Sequence, residues 1–276
     1  MARSSRKRDD LEHVLRVRPG TRVDLARIDP DETYGHSKDD AADELEDGLK
    51  RLADVQDRLW AEGRRRVLVV LQGIDAAGKD GTLRHVMGAF NPQGCYVTPF
   101  KVPSEVELAH DYLWRVHRHV PGNGEIAIFN RSHYEDVLVV RVHGLVPKPV
   151  WSRRFDQINA FEQLLVDEGT TIVKFFLYID RDEQKERFQA RLDDPTKRWK
   201  FRLGDLDERK RWDDYIEAYE DVLSRCSTDD SPWYVIPANR KWFRNLAVAN
   251  ILGERLEKLE PRYPDPEEDL EKIVIN

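Results

Sequence analysis

The chain has little cysteine. Cys95 and Cys226 are the only two in 276 residues, and they lack metal-ligand or redox spacing. That excludes a cysteine-held metal or a redox motif and leaves two free thiols, as expected in a reducing cytosol. Long apolar runs are missing too. None approaches the ~18–20 residues that cross a bilayer. Residues 1–10 are basic and then acidic with no apolar segment, so no secretory leader is expected there. There is no internal repeat and no low-complexity segment. An overall excess of positive charge is also absent: the net charge is −7, which at first argues against a polyanionic ligand.

The distribution of charge reverses that argument. Residues 63–204 carry 22 Lys and Arg against 18 Asp and Glu. The flanks 9–62 and 205–276 hold 8 against 16 and 11 against 18. The local field governs capture of an anion more than the total does. A chain of this length suits one α/β domain with additions.

The basic central segment opens with VLVVLQGIDAAGKDGT, residues 67–82. Val67, Leu68, Val69 and Val70 read as a buried strand. Gly73, Ala76, Ala77 and Gly78 form a small-residue turn, and Lys79 opens a helical segment. Strand, glycine turn, lysine and helix make a phosphate-binding loop, whose backbone N–H groups face an anion. Gly73 to Lys79 fits G-x-x-x-x-G-K. Asp80 stands where the usual pattern has a Ser or Thr that holds magnesium.

Taken in order, residues 1–8 are expected to be disordered and the rest of 1–38 to form an extended arm over the domain. Lys38 to Glu62 reads as a long amphipathic helix stopped by Gly63. Thr82 to Phe90 continues the loop helix. Cys95 to Phe100 is a second strand. A helix from Ser104 to His119 is expected, with Glu107 in capping-box register. Glu125 to Phe129 is a third strand, 150–168 a helix, Thr171 to Ile179 a fourth strand, Asp182 to Leu192 a helix and Trp233 to Ile236 a fifth strand. Asn239 to Leu259 is the closing helix before an acidic tail. Strands alternating with helices imply a parallel sheet covered on both faces. Ligands of such sheets bind at the strand C-terminal ends. Lys79, Lys101 and Arg131 follow strands one to three and are expected to converge there.

Phosphoryl transfer needs anion cradling, a metal and charge neutralisation. Lys79 and the backbone of Gly78, Asp80, Gly81 and Thr82 supply the cradle, with Arg84 on the same helix. Asp75 either holds magnesium or braces the loop. Thr82 is two positions late for the metal hydroxyl but is placed to donate to a phosphate. Asn130 takes the place of a strand-end acid, with Glu135 and Asp136 close behind. Arg131 either binds phosphate or pairs with one of those acids. Residues 187–212 read as a mobile lid carrying Arg187, Arg191, Lys197, Arg198, Lys200 and Arg202, or else as a solvated helix pair. Acidic flanks make nucleic-acid binding a weak alternative.

These stretches resemble family-2 polyphosphate kinases. The similarity runs through GIDAAGKDGT (73–82), FKVPS (100–104), FNRSHYEDVLVVRVH (129–143), EQKERFQARLDDPTKRWKF (183–201) and PWYVIPANRKWFRNL (232–246), from about 14 to 258. The resemblance implies a P-loop kinase fold: a five-stranded parallel sheet flanked by helices, with a helical lid. Residues 1–62 would be an arm and helix, 63–260 the kinase domain with its lid at about 187–212, and 261–276 the tail. It further implies reversible phosphoryl transfer between polyphosphate and AMP or ADP, with ATP as the triphosphate partner. Magnesium, or manganese in its stead, would be held by Asp75 with Glu135 or Asp136 as second ligand. Lys79 and Arg131 would bind phosphate, and the lid would close over both substrates. Asp80 with Asn130 resembles the branch acting on both AMP and ADP. A cytoplasmic homodimer or homotetramer without membrane or nucleic-acid partners is expected. The rival readings are an ATP-dependent nucleoside monophosphate kinase and a non-catalytic polyphosphate or nucleotide sensor.

Overall fold

The computed structural model describes residues 10–266 together with 270, 273 and 275. The expectation of disorder for residues 1–8 lies outside these residues, as does part of the acidic tail. A one-turn helix α1 (Leu11–Val14), a 3-10 turn (Leu25–Arg27) and the long helix α2 (Lys38–Glu62) precede the sheet. Its strands are β1 (Arg66–Gln72), β2 (Cys95–Pro99), β3 (Ile126–Asn130), β4 (Thr170–Tyr178) and β5 (Trp233–Pro237). Helix α3 (Lys79–His85) follows β1; α4 (Glu105–Leu108) and α5 (Trp114–His117) follow β2. After β3 come α6 (Val139–Val142) and α7 (Lys148–Asp167). After β4 come α8 (Arg181–Asp193), α9 (Gly204–Lys210) and α10 (Trp212–Arg225), and α11 (Lys241–Glu257) follows β5.

The strand order is β2-β3-β1-β4-β5, and every pairing is parallel. This is the sheet expected from alternating strands and helices. Its central strand explains why β1 reads as an unbroken apolar run: both faces are buried. Val67, Val69 and Leu71 face the layer of α2 and α11, with Leu52, Val55, Leu59, Val248 and Leu252. Leu68 and Val70 face the opposite layer of α7 and α10, with Phe155, Ile158, Tyr219 and Val222. Each such fully buried side chain contributes about 1.5–3 kcal/mol.

Helix α2 runs over the expected residues. Ser37 accepts from the Asp40 N–H at 3.3 Å, Asp39 and Asp40 complement the dipole, and Gly63 closes the helix at φ 63°. The arm does more than lie over the domain. The Val17 N–H donates to the Trp233 carbonyl at 2.8 Å and the Val235 N–H to the Leu15 carbonyl at 3.0 Å, so the arm covers the β5 edge.

Two expected helices differ. The Ser104–Glu107 capping box is present, but the helix stops at Leu108. The Asp111 carboxylate accepts from the Leu113 and Trp114 N–H groups and starts α5 afresh, so the predicted helix to His119 becomes two short ones. The loop helix begins at Lys79 and tightens into a 3-10 turn at Met87–Ala89 instead of continuing to Phe90. Among the described residues, no helix is long and apolar enough to cross a membrane.

Candidate active site

The loop between β1 and α3 presents one edge of its backbone by having the other fully occupied. Lys79 Nζ donates to the Gly73 carbonyl at 2.5 Å, and the Ala77 N–H to the Ile74 carbonyl at 3.0 Å. From α8, Gln184 Nε2 donates to the Asp75 carbonyl at 2.9 Å, and Arg187 Nη1 to the carbonyls of Ala76 and Ala77 at 2.8 and 2.9 Å. The Thr82 N–H donates to the Gly78 carbonyl at 2.9 Å. Every carbonyl from Gly73 to Gly78 thus has a protein donor, while the N–H groups of Lys79, Asp80 and Gly81 in the first turn of α3 have no intrahelical partner and lie just past the C-terminal end of β1. Close approach fixes the glycine at 73, where a Cβ would stand 2.9 Å from the Leu177 carbonyl oxygen.

Two expected phosphate ligands are placed elsewhere by this bonding. Arg187, 8% exposed, donates from Nε to Glu183, from Nη1 to two loop carbonyls and from Nη2 to the carbonyls of Ala238 and Asn239. Its five N–H donors are all engaged, so it braces the loop from behind and has none left for a phosphate. Thr82 is fully buried, and its hydroxyl donates to the Gly78 carbonyl at 3.3 Å rather than facing an anion.

Lys79, Asp75, Arg131, Glu135 and Asp80 do come together. Arg131 follows β3 in a left-handed conformation, φ 62°, as does Ala76 in the loop, φ 67°. Strain of this kind persists where the surroundings impose it, commonly at functional sites. The Arg131 N–H is tied to the Leu71 carbonyl at 3.0 Å. Its guanidinium bridges the two acids, with Nη2 2.6 Å from Asp75 Oδ1 and Nη1 3.1 Å from Glu135 Oε2. Glu135 first, then Asp75, raise its pKa and hold it charged. Burial and the Arg131 charge push the Lys79 amine down to about 8, against the pull of Asp75, Glu135 and Asp80. Asn130 Nδ2 lies 3.4 Å from Asp80 Oδ1, and Lys200, in the segment expected to form a lid, lies 3.7 Å from Asp80 Oδ2. Asp80 and Asn130, the pair singled out in the sequence, are therefore partners.

Other expected residues stand apart. Asp136 turns away to Arg154 Nη1 at 2.7 Å, and burial raises its pKa to about 6. Lys101 follows Phe100, whose N–H bonds the Asn130 carbonyl, so it reaches the same sheet edge with an exposed side chain but does not join the cluster. Arg84 is exposed on α3, and Arg191 lies over the Phe188 ring at 5.4 Å. Sequence reasoning missed Gln184 and Arg244. Arg244 is 3% exposed beside the loop glycines, and burial followed by Arg187 pushes its pKa down to about 10. The rule that singled out Lys79 and Arg131, basic residues just past a strand, applies equally to the segment after β5.

The donor chemistry here fits a hard divalent cation. Asp75 and Glu135 each bring two carboxylate oxygens to the loop, one of each already on Arg131. No group of three His, Cys, Asp or Glu among the described residues is arranged to cage a metal. Magnesium is ordinarily held by one or two carboxylates with water and substrate phosphates.

A phosphate loop with its lysine at the C-terminal end of a central parallel strand, faced by a charged arginine, defines a P-loop phosphotransferase. Comparison narrows the class. The Polyphosphate kinase 2 (PPK2) family profile matches residues 35–264, and the chain belongs to this family. It is 56% identical over 262 residues to the AMP/ADP-polyphosphate phosphotransferase of Meiothermus ruber, covering 94% of this chain and 98% of that one. It is 46% identical to the ADP-polyphosphate phosphotransferase of Rhodopseudomonas palustris over 91% of both chains. The crystal structure of polyphosphate kinase 2 from Arthrobacter aurescens TC1 superposes with a TM-score of 0.91 at 45% identity, over 95% of this chain and 94% of that one.

Proposed function

We propose that this chain transfers a phosphoryl group reversibly between inorganic polyphosphate and AMP or ADP. The observation that carries the reading is the loop itself. Its carbonyls from Gly73 to Gly78 are all bonded to protein, the N–H groups in the first turn of α3 have no intrahelical partner and can face an anion, and Lys79 and Arg131 converge on it. The names borne by relatives across nearly the whole chain supply the donor and acceptor. Asp75 and Glu135 would hold magnesium, with manganese as its substitute; when bound, the ion neutralises phosphate charge and orients the transferring group. Arg131 neutralises negative charge opposite the loop, and Lys79 remains largely protonated at neutral pH for the same task. The protein acts in the cytoplasm as a homodimer or homotetramer, with no membrane or nucleic-acid partner.

Purified protein with magnesium, long-chain polyphosphate and AMP or ADP, resolved by chromatography, should yield the nucleotide with one more phosphate. No product under those conditions would sink the proposal. Product formed from ATP and AMP alone, with polyphosphate inert, would move the assignment to an ATP-dependent monophosphate kinase.

A further inference from the structure

The backbone ladder between β1 and β3 ends just short of the site. Leu71 stands opposite Asn130, and the Arg131 N–H donates to the Leu71 carbonyl at 3.0 Å. Past that bond β1 enters the loop that leads to Lys79, and β3 enters the turn that carries Arg131 and Glu135. What spans the two segments next is a side chain. Gln72, the last residue of β1, is completely buried, and its Nε2 donates to Ser132 Oγ at 3.1 Å. Its Oε1 accepts from the Tyr219 hydroxyl at 3.4 Å.

Each end of this bridge is itself held. Ser132 is 2% exposed and starts the 3-10 turn His133–Asp136, its hydroxyl oxygen accepting from the Tyr134 N–H at 3.2 Å. Tyr219, on α10, packs on the Phe176 ring with centroids 4.3 Å apart, and the Gly73 N–H faces its hydroxyl. Burial keeps that phenol protonated, so it is the donor to Gln72. These bonds leave part of the amide's hydrogen-bonding capacity unused. An apolar side chain of the same volume would fill the core at least as well. What it would not do is fix one orientation of the turn against the loop.

We infer that Gln72 is a positioning residue for phosphoryl transfer: through Ser132 and Tyr219 it sets how far, and at what angle, the turn bearing Arg131 stands from the loop bearing Lys79. This rests on the phosphotransfer reading above. Gln72 itself meets no substrate, being completely buried. It acts on the gap in which a transferring phosphate lies between two cations, where a displacement of about 1 Å lowers the rate on the order of a hundredfold. Binding of the substrates draws on many other contacts, so the amide matters to turnover far more than to affinity.

The test uses the full chain with magnesium, long-chain polyphosphate and ADP. Gln72→Met keeps the volume and removes the bridge; kcat should fall about thirtyfold while KM for ADP and for polyphosphate stays within about twofold. Tm should change by less than about 3 °C, because Ser132 keeps the Tyr134 N–H and Tyr219 keeps the Gly73 N–H. Ser132→Ala should lower kcat about tenfold, and Tyr219→Phe, which loses the longer bond, about threefold. Gln72→Met combined with Ser132→Ala should lie within about threefold of Gln72→Met alone, since both remove one shared bond, whereas independent losses would multiply. In protein carrying isotope-labelled arginine, the Arg131 Nε–H nuclear magnetic resonance signal, assigned by its absence from Arg131→Lys, should move in Gln72→Met. That of Arg141, held by Glu217 and Asp221, should stay in place. The signal needs no turnover: an inactive parent protein would refute the phosphotransfer reading, and the Arg131 shift would still decide the bridge. Should Gln72→Met fail to fold, Ser132→Ala and Tyr219→Phe, which each trim a single oxygen, carry the kinetic and the spectroscopic test. Parent kcat in Gln72→Met, an ADP KM raised as much as kcat falls, or an unmoved Arg131 signal would overturn the assignment.

Discussion

Two lysines of the chain, Lys174 and the partly buried Lys79, are treated in opposite ways. Lys174, in β4, is completely buried. Its ammonium donates to Glu162, to the Tyr134 hydroxyl at 3.0 Å and to the Cys226 carbonyl at 2.7 Å, which matches its three protons with three acceptors. Glu162 in turn accepts from Tyr134 at 2.8 Å and is 3.2 Å from His133 Nε2. Burial pushes the Glu162 carboxyl up, but Lys174 and His133 more than offset it, and its pKa is lowered. Lys79 has only backbone carbonyls, and its neighbours Arg131 and Arg244 add to the positive charge of the loop region. Full compensation marks a group that holds the fold together. Compensation left incomplete marks where a ligand's charge is to arrive. The two sites adjoin: Tyr134, which donates to Glu162, lies in the turn that follows Arg131 and precedes Glu135 in it by one residue.

The largest effect should come from the compensated lysine. Lys174→Met leaves Glu162 buried without its cation and should cost about 3–5 kcal/mol of unfolding free energy, read by urea denaturation. Lys174→Met with Glu162→Leu should recover most of that loss, since removing both charges is far less costly than removing one. A single variant as stable as the parent would break the comparison.

Lys79→Met should behave in the opposite sense. Turnover should fall about a thousandfold, near 4 kcal/mol in barrier, while the protein gains stability. The sign follows from the pKa of about 8, below the ordinary 10.5. A lysine shifted down binds fewer protons when folded than when unfolded, so its charge opposes folding fully below pH 8 and progressively less toward pH 10.5. The variant should therefore be more stable by roughly 1–2 kcal/mol at pH 7, allowing for the lysine's partial exposure. That gain should fade between pH 8 and 10.5 in denaturation curves taken across the range. A destabilised Lys79→Met would place this lysine with Lys174 among the structural ones.

This contrast also explains what was legible in the sequence. The strands and α2 were readable because local periodicity, caps and burial agree: β1 is apolar on both faces, and Ser37 and Gly63 bound the helix. The loop and Arg131 were readable because they fall directly after strands. The helix from Ser104 was misjudged because Asp111 competes for backbone donors, a choice that periodicity does not register. Arg187 was misassigned because a basic residue in a basic segment looks available until its five donors are counted in three dimensions. Arg244 was missed for the converse reason. Its lack of a carboxylate is a property of the packing, and in the chain it is one arginine in an ordinary helix. Compensation is a spatial quantity, and the sequence lists charges without pairing them.

The smallest effect belongs to the charge pair at the mouth of the site. Asp80 is 72% exposed on its side chain and 3.7 Å from Lys200, so the pair contributes no more than about 0.5 kcal/mol. Asp80→Asn should leave Tm within about 1 °C, because neither partner is left buried. Its consequence should appear in binding instead. Asp80 stands in the first turn of α3 next to Lys79, and removing its charge should relieve repulsion of a polyphosphate. KM for polyphosphate should fall about twofold at low ionic strength and return to the parent value in high salt, where charges beyond about 3 Å are screened. The Asn130 amide, 3.4 Å from Asp80 Oδ1, retains an oxygen acceptor in the variant, so geometry at the loop is kept and the change reports charge alone. A Tm loss of several degrees would put Asp80 on the side of Lys174, as a charge the fold requires. A polyphosphate KM that rises in Asp80→Asn would show that Asp80 acts through Lys200 to hold the lid segment over the donor, so that the uncompensated side of the site includes one pair that must form.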